Sequence, residues 1–117
     1  MPIILTNDEH INVPLSECLT VTVVIPTYNR SHFIEQSLSS VVRQNYASDL
    51  LDVIVIDDGS KDRTCEILQR FQDQYANFRY LRQHNCGPAA ARNLGIRESR
   101  GEIIAFLDDD CIADENW

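Results

Sequence analysis

Gly101-Glu102-Ile103-Ile104-Ala105-Phe106-Leu107-Asp108-Asp109-Asp110 sets a short unbroken apolar run between a glycine and three acids. A run of this kind predicts a strand buried on both faces, as in a parallel sheet. Three carboxylates then stand where the strand emerges. Like charges side by side repel unless water or a cation compensates them. Hard divalent cations take oxygen ligands, and Mg²⁺ is usually held by one or two carboxylates together with substrate phosphates. The stretch therefore suggests a metal-assisted phosphate site at a strand end. For the triplet taken alone, the alternative is a solvated acidic loop.

Working outward, the segment before it reads as a helix. Pro88 suits a first helical position after Asn85-Cys86-Gly87, because its missing N–H costs nothing there. Helix is predicted to about Ser99, packing through Ala89, Ala90 and Ala91, with Gly101 as a left-handed C-terminal cap. Phe78 to Arg82 reads as a short strand, and Leu51 to Ile56 as another that ends in Asp57-Asp58-Gly59-Ser60. Between them Ser60 or Asp62 is expected to cap a helix through Gln74, with Leu68, Phe71 and Tyr75 as its buried stripe. Thr20 to Ile25 is β-branched throughout, a strand expected to stop at Pro26. Thr27 to Arg30 is its turn, and Ser31 is expected to cap a helix to about Gln44. Phe33, Ile34, Leu38, Val41 and Val42 would form the apolar face of that helix.

The order β-α-β-α-β-α-β predicts an α/β fold: a mostly parallel sheet with right-handed crossovers and helices on both faces. Residues 1–19 show no sustained period and read as an arm or edge extension, leaving 20–117 as one subdomain.

Composition narrows the function classes. With 44% hydrophobic and 24% charged residues, the 117-residue chain is an ordinary globular one. Ten basic residues against 18 acidic ones (net charge -8) argue against nucleic acid as a partner. No apolar run approaches the ~20 residues of a membrane span. Cys18, Cys65, Cys86 and Cys111 form no C-x-x-C pair, and with His10, His32 and His84 scattered no zinc spacing appears. The cysteines read as reduced thiols of a cytoplasmic protein. His84 and Cys86 read as loop residues, and Cys111 as a packed thiol, since hard cations avoid sulfur.

In an open parallel sheet, ligands bind outside the carboxyl ends of the strands. Pro26-Thr27-Tyr28-Asn29, Asp57-Asp58-Gly59-Ser60 and Asp108-Asp109-Asp110 all fall at such ends. No G-x-G-x-x-G or G-x-x-x-x-G-K-[ST] is present, so a bound diphosphate would need a metal to offset its charge.

Val24-Ile25-Pro26-Thr27-Tyr28-Asn29, Val55-Ile56-Asp57-Asp58-Gly59-Ser60, Gly87-Pro88-Ala89-Ala90-Ala91-Arg92-Asn93 and Phe106-Leu107-Asp108-Asp109-Asp110 together resemble the family 2 glycosyltransferases. These are inverting, metal-dependent enzymes of the GT-A fold. The four motifs occur in the family's order, across about residues 20 to 117. The resemblance implies that Pro26, Tyr28 and Asn29 border the nucleotide pocket, with the Tyr28 ring against the base. It implies that Asp58 accepts a hydrogen bond from the base while Asp57 supports the loop, and that Arg92 and Asn93 face the donor. Asp108 and Asp110 match the D-x-D motif: Asp108 towards ribose or metal-bound water, Asp110 towards Mn²⁺ or Mg²⁺ at the diphosphate. Asp109 joins the nucleotide-binding set without a defined task.

The resemblance further implies a nucleoside-diphosphate sugar donor, commonly a UDP-sugar, and a saccharide, lipid or other hydroxyl acceptor. No residue up to Trp117 matches the family's catalytic base, so that base is expected beyond Trp117 and the subdomain is expected to be an incomplete half. A half-fold with bare surfaces is expected to self-associate or to be marginally stable. Peripheral attachment to the inner face of a membrane stays open, as does a non-catalytic nucleotide-binding or interaction module. A sugar-nucleotide pyrophosphorylase is disfavoured, because no basic glycine-rich loop follows the first strand.

Overall fold

Runs of β-branched and aliphatic residues become the central strands because both faces of each can be covered. A computed structural model describes residues 19–117 and the backbone of Ile3–Leu5. Its strands are β1 (Ile3–Leu5), β2 (Val21–Thr27), β3 (Leu51–Asp57), β4 (Phe78–Arg82) and β5 (Ile103–Phe106). Its helices are α1 (Ile34–Val42), α2 (Thr64–Gln74) and α3 (Pro88–Glu98), and a short 3₁₀ turn, Ser48–Leu50, leads into β3. The five strands form one sheet in the order β1-β5-β2-β3-β4 with every pairing parallel. Within the stretch expected to be an arm or edge extension, Ile3–Leu5 pairs with Ile103–Ala105 at the sheet edge. The remainder of residues 1–18 lies outside the described residues.

The chain moves outward from β2 to β3 and β4, then returns across the sheet to lay β5 on the other side of β2. The strand order therefore reverses between β2 and β5, which is where parallel sheets open a crevice. Ile25, Ile34, Leu38, Val41, Val53, Val55, Leu68 and Phe71 form the core on the face covered by α1 and α2. Val24, Ile54, Ile56, Ala91 and Ile104 form the thinner core beneath α3. Among the described residues, no helix is long and apolar enough to cross a membrane.

Several local expectations need correction. β2 does not stop at Pro26 but runs through it to Thr27. The Val24 carbonyl points to β5, accepting the Leu107 N–H, whereas the Thr27 carbonyl points to β3, accepting the Asp58 N–H. Backbone direction alternates along the strand, so Pro26 faces the β5 side, where pairing has already ended at Phe106. Its absent N–H therefore removes no ladder bond.

Ser31 does not cap α1. The N–H groups of Phe33 and Ile34 bond to the Arg30 carbonyl, and the helix begins at Ile34. The Ser31 N–H is taken by the Asp62 carboxylate. Phe33 lies outside the apolar face, 51% exposed. For α2, Asp62 rather than Ser60 accepts the first free N–H, that of Thr64.

Of the three alanines expected to pack under α3 only Ala91 is buried, and the closest approach is at Gly95, where a Cβ would lie 2.3 Å from a Val24 methyl carbon. Gly101 is not a left-handed cap, for α3 ends in extended backbone at Ser99. A Cβ on Gly101 would stand 2.5 Å from the Thr22 nitrogen, so the glycine is there for space.

Candidate functional site

Three loops at the carboxyl ends of β2, β3 and β5 and the start of α3 enclose a cleft of about 510 Å³. Pro26, Tyr28, Asp58, Arg92, Asp108, Asp109 and Asp110 all line it. Asn29, Asp57 and Asn93, also named from the sequence, are not among its lining residues. Thr27, Arg30, Asn85 and Gly87, which sequence reasoning did not select, are. Thr27 and Arg30 flank Tyr28 and Asn29 in the same turn, and that adjacency was the available signal.

The loop residues outside the cleft brace it. Asn29, in the left-handed region at φ 52°, accepts the Lys61 N–H through Oδ1, and its own N–H donates to Ser60 Oγ, both at 2.8 Å. These bonds tie the β2–α1 loop to the β3–α2 loop. Asp57 is fully buried and accepts the Ser60 N–H at 3.0 Å and the Cys65 thiol at 2.9 Å, with the Arg82 guanidinium 3.6 Å away. Burial and the neighbouring Asp57 carboxylate push the Cys65 thiol up, which keeps it protonated.

Asp58 reaches the other way and holds the entry to α3. Its carboxylate accepts the Gln83 side-chain amide at 2.8 Å, the Cys86 N–H at 2.8 Å and the Gly87 N–H at 3.0 Å. Burial alone would raise its pKa, but these three donors outweigh it and hold Asp58 below the usual carboxylate range. Gly87 sits at φ 95°, a conformation costly for any residue with a side chain. Asp58 thus faces the cleft while fixing the loop that carries Pro88, Ala91 and Arg92. Arg92 is exposed and makes no ion pair among the described residues. Tyr28 presents its ring at 40% exposure.

The three consecutive acids differ in their partners. Asp109 accepts the Thr27 hydroxyl at 2.8 Å and lies 3.7 Å from Arg30 Nε. Burial, followed by repulsion from Asp110 and Asp108, pushes the Asp109 carboxyl up, against the pull of Thr27 and Arg30. Asp108 and Asp110 are exposed, and no cation among the described residues pairs with either. Oxygen atoms of these two and Cys111 Sγ lie within 4.8 Å of one another. The Cys111 thiol donates to Asp110 Oδ1 at a long 3.7 Å. Two carboxylates as close as these fit a hard divalent cation, whereas the thiol does not. Cys111 instead packs against the core beneath α1.

A depression of about 630 Å³ lies at the opposite end of the strands, bordered by Thr20, Ser48, Asn77 and Gly101. Of its two acids, Asp52 is engaged by Arg79, while Asp49 lies exposed at the rim.

Residues 22–117 match the sequence profile of Glycosyl transferase family 2. Glycosyltransferase AglE of Haloferax volcanii is 42% identical over 98 residues, which cover 83% of this chain and 32% of AglE. TarS 1-349 of S. aureus, solved in complex with UDP-GlcNAc, matches with a TM-score of 0.72 and 29% identity over 78% of this chain and 26% of its own. Mannosyltransferase PcManGT of Pyrobaculum calidifontis, solved with GDP-Man and Mn²⁺, matches with a TM-score of 0.71 and 33% identity, over 79% of this chain and 28% of its own. The chain therefore spans about a third or less of these relatives, and its fold is that of the GT-A glycosyltransferase structures. On this sequence match, and with its architecture in agreement, the chain belongs to glycosyl transferase family 2.

Proposed function

We propose that this chain forms the donor-binding part of an enzyme that transfers a sugar, with inversion, from a nucleoside-diphosphate sugar to an acceptor hydroxyl. The observation that carries the reading is the cleft at the strand reversal. It combines an exposed aromatic ring with an arginine and two carboxylates, within reach of one another, that make no ion pair among the described residues. The Tyr28 ring offers a stacking face for the base, and Arg92 offers a guanidinium to the diphosphate. Asp58 keeps the α3 entry loop closed against the pocket. Asp108 and Asp110 would hold Mn²⁺ or Mg²⁺, which when bound offsets the charge developing on the leaving diphosphate. The acceptor hydroxyl must lose a proton as it attacks, and none of the carboxylates described above is assigned that task.

TarS was solved with UDP-GlcNAc and PcManGT with GDP-Man and Mn²⁺, which supports a nucleotide-sugar donor and a divalent metal. We favour a UDP-sugar. Calorimetric titration with UDP and with GDP, each with and without Mn²⁺, tests this beside Asp110→Asn. The expected result is UDP binding strengthened by Mn²⁺, with the metal dependence lost in the variant. A folded chain that binds neither nucleotide would overturn the donor-site reading, and binding of GDP alone would overturn the choice of base.

Two further readings are part of the proposal. The thiols of Cys65 and Cys86 suit a reducing cytoplasm, with peripheral attachment at a membrane's inner face to be tested by cell fractionation. The exposed side chains of Phe33 (51%) and Ile112 (67%) favour self-association, to be tested by light scattering.

A further inference from the structure

Building on the donor-site reading, we propose that Thr27 and a row of polar residues on α1, led by Ser37, are positioning residues for the acidic turn. They hold Asp109 back and set the backbone so that Asp108 and Asp110 open together into the cleft.

The Cys111 N–H donates to the Asp108 carbonyl at 3.1 Å, closing a turn with Asp109 and Asp110 at its centre. Ser37 lies in the middle of α1 and is 1% exposed. Its hydroxyl donates to the Asp109 carbonyl at 2.9 Å and also approaches the Cys111 carbonyl. With a single proton, it is shared between the two carbonyls on either side of Asp110. Farther along the helix, Ser40 Oγ accepts the Ala113 N–H at 2.9 Å while donating to the Ser37 carbonyl at 2.7 Å. The Gln44 side-chain amide reaches the Asp114 carbonyl, and the Asn45 N–H reaches that of Glu115 at 2.8 Å. Residues 37 and 40 share one face of α1, and Gln44 follows just beyond its end. Together they grip residues 109–114 through backbone atoms.

Serine is a mediocre helix former, and an apolar stripe would bury more surface. What hydroxyls and an amide add is direction. Apolar contact lets a loop slide, whereas hydrogen bonds to named carbonyls define its register. Register matters here because two like-charged carboxylates held close together repel. A turn that maintains them before the cation arrives lowers the cost of assembling the site. Thr27 completes the arrangement by engaging the third carboxylate at 2.8 Å, so that Asp109 is held half-buried in the cleft wall while its neighbours stay exposed.

The test compares this chain with Ser37→Ala, Thr27→Val and the conservative Thr27→Ser. UDP is titrated with and without Mn²⁺, and amide hydrogen exchange is followed across residues 108–113. Changes to groups that orient metal ligands usually cost tenfold or more in metal affinity. Ser37→Ala and Thr27→Val are therefore expected to weaken Mn²⁺-dependent UDP binding by about tenfold and to speed exchange at Cys111 and Ala113, with metal-free UDP binding unchanged in Ser37→Ala, whose side chain lies outside the cleft. Thr27→Ser restores binding to within about twofold of the parent. Unchanged exchange in Ser37→Ala would overturn the inference. So would faster exchange with metal-dependent binding intact, since the residues would then be structural only. A parent chain without any Mn²⁺-dependent UDP binding would sink the donor-site reading first, and this inference with it.

Discussion

Carboxylates stand at both ends of this sheet and meet opposite surroundings. At the amino end, Asp52 accepts a fork from Arg79, at 3.3 and 3.1 Å, and the Thr22 hydroxyl at 3.2 Å. Thr22 in turn receives the N–H groups of Arg100 and Gly101, and Arg79 also reaches the Glu98 carbonyl. Together these bonds join β2, β3 and β4 to the end of α3. At the carboxyl end, Asp108 and Asp110 have backbone anchors and no cation among the described residues. An acid whose partners come from its own chain is part of the scaffold. One held in place with no cation among the described residues, and only the Cys111 thiol at 3.7 Å on Asp110, is prepared for something that arrives.

The largest effect is expected from disturbing the amino end. Gly101→Ala would drive a Cβ to 2.5 Å from the Thr22 nitrogen and 2.8 Å from the Ile103 carbonyl oxygen, backbone atoms that cannot move aside. Overpacking of this kind costs about 3 kcal/mol, read as a lower urea midpoint with an unchanged slope. A midpoint equal to that of the parent would break the picture of a rigid amino end.

Asp110→Asn is expected to do the reverse. Metal-dependent UDP affinity falls about a hundredfold, equivalent to roughly 2.7 kcal/mol. Stability stays within about 0.5 kcal/mol of the parent, because the side chain has no strong partner to lose. A large loss of stability would mean that the two ends differ less than their geometry indicates. Asp52→Ala gives the mirror result: about 1–3 kcal/mol of stability lost as Arg79 and Thr22 lose their acceptor, with UDP affinity unchanged.

Asp62 sharpens the comparison, since it lies among the carboxyl-end loops yet is saturated like Asp52. Burial opposes its ionisation, but the Thr64 hydroxyl and N–H and the Ser31 N–H prevail, lowering its pKa from 3.8 to about 2. A depressed folded-state pKa contributes stability that is present above about 3.8 and lost as pH falls from there towards about 2. Because the side chain is exposed, the effect is the smallest of the four. Acid unfolding curves of the parent and Asp62→Asn should diverge in that window, and coincident curves would show that the three hydrogen bonds do not persist in solution.

The strands were the most legible part of the chain. Phe78–Arg82 occupies the residues expected of it, and Leu51–Ile56 extends only to Asp57. Buried parallel strands announce themselves as unbroken apolar runs, because both faces must be covered. Helix starts were less legible. Ser31 resembles a cap by type, yet its N–H is claimed by Asp62 from another loop, a partner 31 positions away that no local pattern reveals. Pro26 was misread for a related reason. Whether a proline ends a strand depends on which neighbour its nitrogen would face, and that neighbour is 80 residues downstream. Much of the candidate cleft was named from the motifs. Thr27 and Arg30 were missed, as was Ser37, whose partners lie 72 and 74 positions along the chain.

The amino-acid order alone determined the alternation of strands and helices, and from it a parallel sheet with acids at its carboxyl edge, because periodicity and turn chemistry are local properties. It also determined the family, since four motifs in sequence carry that signature. Only the tertiary structure decided which acids are occupied and which are free. Asp52 and Asp58 are satisfied by donors brought from other elements and Asp62 by one such donor beside the local Thr64, while Asp108 and Asp110 meet no cation among the described residues. A carboxylate's availability depends on every donor that folding places around it, and most of those donors lie far away along the chain.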